Sequence, residues 1–307
     1  MAKIRIGTRG SKLALWQARW VEAQLTGQGH DVELIEISTT GDVTSQSLKQ
    51  VGGQGVFTKE IQRALLRQEV DVAVHSLKDL PTQEIPELIL GAVPERETTA
   101  DCLISANNSS FEQLAAGARI GTGSLRRASQ LLAWRNDVEI KDIRGNVDSR
   151  LAKLANGEFD AVILAHAGLK RLELEGHISE VLPQERILPA IGQGALGLET
   201  RKDAAEIIEA LHPLDHVQSH QAVVAERTLL AKLLAGCLAP VAALATVEDG
   251  QLTLKAKVLS RDGAEAITAN VEGQAVDAAE IGAKAANQLL ELGAENLIAI
   301  ARADQNS

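Results

Sequence analysis

Residues 160–165, DAVILA, form the stretch that most limits what this chain can become. It is strand-length, continuous and apolar, without the polar alternation of a strand that keeps one face in water. Such a strand is covered on both faces, as in parallel sheets flanked by helices. A second stretch, VDVAVHS at 70–76, has Val72 and Val74 alternating with small residues and reads as another short buried strand. Strand-like segments at 3–7, 32–38 and 88–93 alternate with helical ones opening at Lys12 and covering 57–67. Past Pro94-Glu95-Arg96-Glu97 the rhythm repeats, with strands at 102–105, 119–122, 138–143 and 160–165. Alternation of this kind predicts α/β units with largely parallel sheets.

PAIGQG at 189–194 reads as a crossover back, and ALGLE after it as a strand returning to the first unit. In the first helix Ser11 is a plausible N-cap, and Leu13, Trp16 and Trp20 fall on one face expected to be buried. Residues 39–55 carry four glycines and little apolar periodicity, a loop long enough for a lid or a disordered segment. From about Ser219 the texture changes. A helix over 221–234 would put Val223, Leu230, Leu233 and Leu234 on one face and end at Gly236. Asp249-Gly250 and Asp262-Gly263 are turn signals around LTLKAKVLS, whose alternation suits an antiparallel strand. A helix over 277–292 and a last strand, NLIAIA, complete a small α+β domain.

A length of 307 residues exceeds one ordinary core and predicts two or three domains. No apolar run is long enough to cross a bilayer, and MAKIRIGTRG has no apolar signal core, so a cytoplasmic protein is expected. With a net charge of −10, three Phe, three Trp and no Tyr, the chain lacks a stacking platform for bases, which argues against nucleic acid as a partner. Cys102 and Cys237 lie far apart, and a lone disulfide is improbable in a cytosolic protein. Cys102, in the strand-like DCLIS, has the place of a small buried hydrophobe; by composition alone Cys237, in LLAGCLAP, reads as a buried thiol too.

The strand at 70–76 runs into Leu77-Lys78-Asp79, and Pro81 forbids a helix before it. A carboxylate and an ammonium therefore stand together at a strand end, where ligand sites of open α/β sheets gather. A solvated turn with an ordinary charge pair is the plainer alternative. GTGSLRR at 121–127 and Arg144-Gly145-Asn146 both lie between a strand and a helix, with Arg150 six residues past Arg144. From Arg119 to Lys153 there are eight Lys and Arg against four Asp and Glu, a local excess of +4. Solvated helix charges would explain that excess, but Arg on two strand-end loops points to a polyanion, carboxylate or phosphate. Neither a P-loop nor a dinucleotide fingerprint is present. His212, His216 and His220 have helical spacing, yet Pro213 and the cap residues Asp215 and Ser219 favour loop histidines over a metal site.

Taken in order, GTRGSKLALWQ, VDVAVHSLKDLPT, GTGSLRR, RGNVDSRLAKL, LPAIGQGALGLE and the Gly236-Cys237 loop resemble the porphobilinogen deaminase (hydroxymethylbilane synthase) family over nearly the whole chain. Each motif is weak; six in order at family-like spacing are specific. The resemblance implies two α/β domains like the lobes of a periplasmic binding protein, 1–94 with 195–214 and 95–194, and a small α+β domain at 215–307. It implies a transferase of porphyrin and haem biosynthesis that links four porphobilinogen molecules, losing ammonia each time, into the linear tetrapyrrole hydroxymethylbilane. A dipyrromethane cofactor is implied, joined by a thioether to Cys237. Asp79 matches the family's catalytic aspartate. Lys78, Thr122, Ser124, Arg126, Arg127 and Arg144 match positions that hold the cofactor, and Arg9, Ser11, Arg144, Arg150 and Gln193 match positions that hold substrate. A monomer acting on a small molecule, without nucleic acid, membrane or metal, completes the expectation.

Elementary chemistry agrees with this. Each pyrrole ring brings two carboxylates, so the growing chain needs fixed cations, and loss of ammonia leaves a cationic azafulvene that a carboxylate in a partly desolvated cleft would stabilise. Four positions depart from the family's habit: Gln50 and Gln54 stand where Lys is frequent, Gly123 where Ser is common, and Ala235 where Gly is frequent. The rival readings are a non-catalytic two-lobed binding protein for a small polyanion and a phosphate-ligand enzyme.

Overall fold

The computed structural model describes residues 2–37, 58–234 and 239–306, and for 304–306 the backbone only. Residues 39–55, with Gln50 and Gln54, and the Ala235-Gly236-Cys237 loop lie outside the described residues. The chain divides into two compact units, Met1–Glu97 with Gly194–Gln221 and Thr98–Gln193 with Ala222–Ser307.

The first unit contains β1 (Lys3–Thr8), α1 (Lys12–Gly27), β2 (Asp31–Glu36), α2 (Lys59–Leu66), β3 (Val72–Ser76), β4 (Leu88–Ala92), β10 (Leu196–Arg201) and α6 (Ala205–Leu211). Its five strands lie in the order β2-β1-β3-β10-β4. β1 is parallel to β2 and β3, while β10 runs antiparallel to β3 and β4. Val21 and Leu25 of α1 and Leu211 of α6 cluster with Ile4, Ile6, Val72 and Val74. Ile61 and Leu65 of α2 join Val70, Ala73 and Leu88 in a second cluster. With Val72, Ala73 and Val74 all buried, β3 is covered on both faces, as its composition requires.

The second unit repeats that order. It contains β5 (Asp101–Ser105), β6 (Arg119–Gly121), α3 (Leu125–Trp134), β7 (Glu139–Lys141), α4 (Val147–Ala155), β8 (Ala161–Ala165), α5 (His166–Arg171) and β9 (Glu180–Val181). The sheet order is β7-β6-β8-β5-β9, with β6 parallel to β7 and β8 and β5 antiparallel to β8 and β9. In each unit, therefore, the strand next to a crossover inserts antiparallel as fourth in the sheet. The division into units falls inside α7 (Val217–Lys232). Beyond it β11 (Val241–Glu248), β12 (Gln251–Leu259) and β13 (Ala266–Gln274) form an antiparallel meander. α8 (Ala278–Glu291) and α9 (Ala294–Asn306) pack with α7 and the meander around Leu229, Leu254, Val258, Ala285 and Leu289. Asp249 and Gly250 both have positive φ, 49° and 76°, the turn that joins right-twisted strands with two residues.

Three expectations are corrected. NLIAIA is helical, because Ala294, Leu297, Ile298 and Ala301 are buried at i, i+3, i+4 and i+7; the β-branched residues masked that period. α7 begins at Val217, four residues early: His216 Nδ1 accepts from the Ser219 N–H (3.3 Å) and meets its hydroxyl at 2.8 Å, so Ser219 sits in the first turn. Leu234 then leaves the helix with φ 48° and is 75% exposed, so it does not join Leu233 in the core. In α1 the buried face is Gln17, Ala18, Val21 and Leu25; Leu13 and Trp20 are half-buried and Trp16 is 36% exposed. Gln17, Ala18, Val21 and Leu25 fill the buried face, and the indoles of Trp16 and Trp20 are left partly exposed.

Candidate active site

In the first unit the candidate residues gather where β1 and β3 end. These strands are parallel neighbours, Ile6 beside Val72 and Gly7 beside Ala73, so the residues after Thr8 lie beside those after Val74. Arg9, half-buried, leaves β1, and Ser11 caps α1 by accepting the Ala14 N–H at 3.3 Å. β3 runs into a single 3-10 turn, Leu77–Asp79, which Pro81 keeps from becoming a helix. Leu77 is buried and donates its N–H to Ala195 O (3.0 Å), whereas Lys78 and Asp79 are exposed. Asp79 thus stands exposed on the turn that follows β3.

The approach to that turn is rigidly held. The Gln17 amide, buried in α1, bonds the Ser76 hydroxyl at 2.8 Å. One residue earlier, buried His75 meets Glu199 Oε2 of β10 at 2.9 Å, and Gln62 of α2 donates to Glu199 Oε1 at 3.0 Å. These polar groups are buried yet partnered, so they fix the end of β3 without the penalty of unmet bonds.

In the second unit the corresponding edge lies beyond β6, β7 and β8. Thr122 is buried and its hydroxyl accepts the Ser124 N–H at 3.2 Å; Ser124 caps α3 by accepting the Arg127 N–H at 3.4 Å. β7 leads to the Arg144 loop. Gly145 has φ 115° and a Cβ there would collide with Ser149 Oγ, so glycine is required. Asn146 caps α4 by accepting the Ser149 N–H at 2.9 Å. Arg144 is exposed and pairs with Asp142 at 3.0 Å, and Arg150, half-buried, donates to Gly145 O at 2.9 Å. A Cβ on Gly123 would lie 3.0 Å from Asp142 Oδ1 and from Ile143 O, so the family's serine would press on this loop.

Arg126 and Arg127 are both buried. Asp101, the first residue of β5 and 0% exposed, accepts from Arg126 Nη2 through Oδ2 (2.7 Å) and from Arg127 Nη2 and Nε through Oδ1 (2.7 and 3.1 Å). Arg126 also donates to Leu188 O (2.6 Å) and Arg127 to Ile163 O (3.1 Å). Gln193, fully buried, donates to Thr99 O (2.8 Å) and Asp101 Oδ1 (2.9 Å). Burial pushes the Asp101 carboxyl upward, but the charges and hydrogen bonds of Arg126 and Arg127 outweigh it and hold the group well below the ordinary carboxylate range. Burial lowers Arg126, against Asp101's attraction. Cys102, beside Asp101, is a free buried thiol that burial pushes up to about 12, fitting the inert role expected of it.

A family model described as "Porphobilinogen deaminase, dipyromethane cofactor binding domain" matches residues 4–209, and one described as "Porphobilinogen deaminase, C-terminal domain" matches residues 220–291. The chain belongs to the porphobilinogen deaminase family. "Porphobilinogen deaminase" of Pelotomaculum thermopropionicum is 45% identical over 307 residues, 99% of this chain and 98% of that one. Its namesake in Desulforudis audaxviator is 47% identical over 304 residues, 98% of each. Among solved structures, an arginine transport system periplasmic binding protein from Legionella pneumophila covers 69% of this chain and 92% of its own, with 15% identity and a TM-score of 0.41.

A porphobilinogen deaminase is a transferase of tetrapyrrole biosynthesis that works with a dipyrromethane cofactor, and the family rather than the non-catalytic binding protein accounts for this chain. Among the described residues no helix is long and apolar enough to cross a membrane, and no group of three His, Cys, Asp or Glu could hold a metal ion. His216 and His220 are instead engaged with Ser219 and Asp215. Sequence reasoning missed Asp101, Gln17 and the His75–Glu199–Gln62 set. The signal for Asp101 was an acid opening a fully apolar strand, a place where a carboxylate needs a buried partner.

Proposed function

We propose that Asp79 is the catalytic group of the deaminase, acting by charge. The observation that carries this is the placement of one exposed carboxylate at the end of a buried, well-anchored strand, with Lys78 next to it and Arg9 and Ser11 at the adjoining strand end. Losing ammonia makes the pyrrole carbon of porphobilinogen cationic, and joining two pyrroles puts positive charge on a ring. A fixed carboxylate stabilises both without having to reorganise.

Lys78, Thr122, Ser124, Arg126, Arg127 and Arg144 are assigned to the cofactor, and Arg9, Ser11, Arg144, Arg150 and Gln193 to the substrate side. The donor set of the second unit suits a carboxylate-bearing group: two guanidiniums face one internal carboxylate, and the buried Arg126 Nε has no hydrogen-bond partner. When bound, dipyrromethane supplies the pyrrole end from which the product grows. Ser124 and Asn146 cap their helices and so orient the N–H groups of two helix starts, which favour anions. A division into domains at 1–94 with 195–214, 95–194 and 215–307 goes with this reading, as do a cytoplasmic monomer and the absence of a nucleic-acid partner.

Cys237 is assigned the covalent attachment, because Cys102 is fully buried in β5. Intact-mass measurement on purified protein should show an excess over the sequence mass that disappears in Cys237→Ser and persists in Cys102→Ala. A fully active Cys237→Ser protein of unmodified mass would end the assignment.

A further inference from the structure

The buried arginine pair of the second unit is out of charge balance, and the imbalance points to what holds it in place. Asp101 has both carboxylate oxygens occupied: Oδ2 by Arg126, Oδ1 by Arg127 and by the Gln193 amide. One carboxylate therefore serves two guanidiniums, all three groups being buried. The arginines also occupy the first turn of α3, where the helix dipole disfavours cations. A purely structural salt bridge would leave neither surplus charge nor an unmet donor. Here a positive charge is left over, and the Arg126 Nε–H is buried without a partner, which is rare in a folded protein. Both deficits are of the kind one further carboxylate would fill.

We propose that Asp101 is a positioning residue for carboxylate recognition: it locks the Arg126 and Arg127 forks against the start of α3 so that one net positive charge and the Arg126 Nε–H face an acetate or propionate group of the cofactor. The inference rests on the assignment of Arg126 and Arg127 to cofactor carboxylates made above. Guanidinium pairs recognise carboxylates by a planar, two-point fit, so their orientation matters as much as their charge. Gln193 supports the same geometry by donating a further hydrogen bond to Asp101 Oδ1 (2.9 Å).

Positioning and simple attraction predict opposite results for Asp101→Asn. The substitution raises the positive charge of the cluster, so attraction alone would keep or improve cofactor loading, whereas positioning predicts a loss. Full-length Asp101→Asn, Asp101→Glu and Arg126→Leu proteins would be prepared beside the parent. Intact mass gives the fraction carrying the covalent cofactor, a thermal melt reports the fold, and kcat and KM are taken on the loaded fraction. The expectation for Asn is a roughly tenfold or greater fall in loading in protein that still melts cooperatively, the scale of one charge-assisted hydrogen bond. Glu restores the charge but displaces it by a methylene, so loading recovers substantially while KM rises more than kcat falls. Parental loading and KM in the Asn protein would overturn the proposal. If Asn does not fold, Glu decides: a raised KM with a cooperative melt supports positioning, and parental loading with parental KM overturns it. Normal loading of Arg126→Leu would sink the arginine assignment itself, while lost loading there beside normal loading in Asp101→Asn would remove Asp101 alone.

Discussion

At the end where their strands begin, the two five-stranded sheets are tied in the same way. Asp71 donates its backbone N–H to Arg5 O (2.8 Å), and the Asp71 carboxylate accepts the Arg5 amide (3.0 Å) and both arms of its guanidinium (2.9 Å each). Arg119 and Asp160 repeat every one of those bonds at 2.7, 3.1 and 3.0 Å. Each clasp joins the first strand of its βα run to the third, and each opens the same four residues, Arg-Ile-Gly-Thr at 5–8 and at 119–122. The other ends differ in how their carboxylate is held. In the first unit a carboxylate, Asp79, is exposed; in the second the carboxylate, Asp101, is buried and its arginines are in surplus. A shared scaffold thus carries two unlike edges, one suited to stabilising a cation and one to holding carboxylates. The clasps are common to both units, and the chemistry proposed above lies at the opposite ends, where the units differ.

The sharpest way to break this comparison is to remove an arginine from the second edge. Arg126→Leu or Arg127→Leu strips a fully buried Asp101 of a charged partner and should cost about 3–5 kcal/mol of stability, together with cofactor loading. Denaturant unfolding of the two proteins checks this; an unchanged midpoint would mean that the Asp101 cluster is not a structural unit. By contrast Arg144 is exposed, so Arg144→Leu should change stability by less than about 0.5 kcal/mol. Its KM for porphobilinogen should rise roughly tenfold, the scale of a lost charge-assisted hydrogen bond. A large stability loss with normal KM would reverse the roles given to buried and exposed arginines.

A smaller effect concerns acid. Asp71, Asp101 and Asp160 all lie below the ordinary carboxylate value when folded, so their contribution is complete above the unfolded value, about 4, and is lost as pH falls toward their folded values. Melting temperature should therefore decline below about pH 4, and Asp101→Asn should make that decline shallower. An equally steep acid limb would show that Asp101 does not titrate as the cluster requires. Smallest of all, native Cys102 should resist alkylation at pH 8 and react only on unfolding, since its thiol is held near 12.

Much of this was legible in the chain. DAVILA read as a doubly covered strand, VDVAVHS as a short buried one and Asp249-Gly250 as a turn, because each depends on local geometry. The ends of the site were legible in part: Ser11 caps the helix its position announced, while Ser124 and Asn146 cap the helices that follow their strand-end loops. What local pattern could not supply was partnership over distance. Asp101 lies 25 residues from Arg126 and reaches it only through the insertion of β5 beside β8. Gln17 and Ser76 meet across 59 residues for an equivalent reason. NLIAIA failed differently, since a helix buried along Ala294, Leu297, Ile298 and Ala301 has the composition of a strand, and tertiary packing decided between them.

The account stands most directly on Asp79. Asp79→Asn keeps size and hydrogen-bonding capacity while removing the charge, at an exposed turn whose fold does not depend on it. The decisive measurement is single-turnover ammonia release by cofactor-loaded protein, parent against Asp79→Asn, with Asp79→Glu as the charge-retaining control. An electrostatic group that acts in the transition state should lower the rate by roughly 10² or more with little change in substrate binding or melting temperature, and Glu should retain part of it. Ammonia released by the Asn protein at the parental rate would make Asp79 an ordinary charged turn residue and would contradict the division of labour between the two sheet edges.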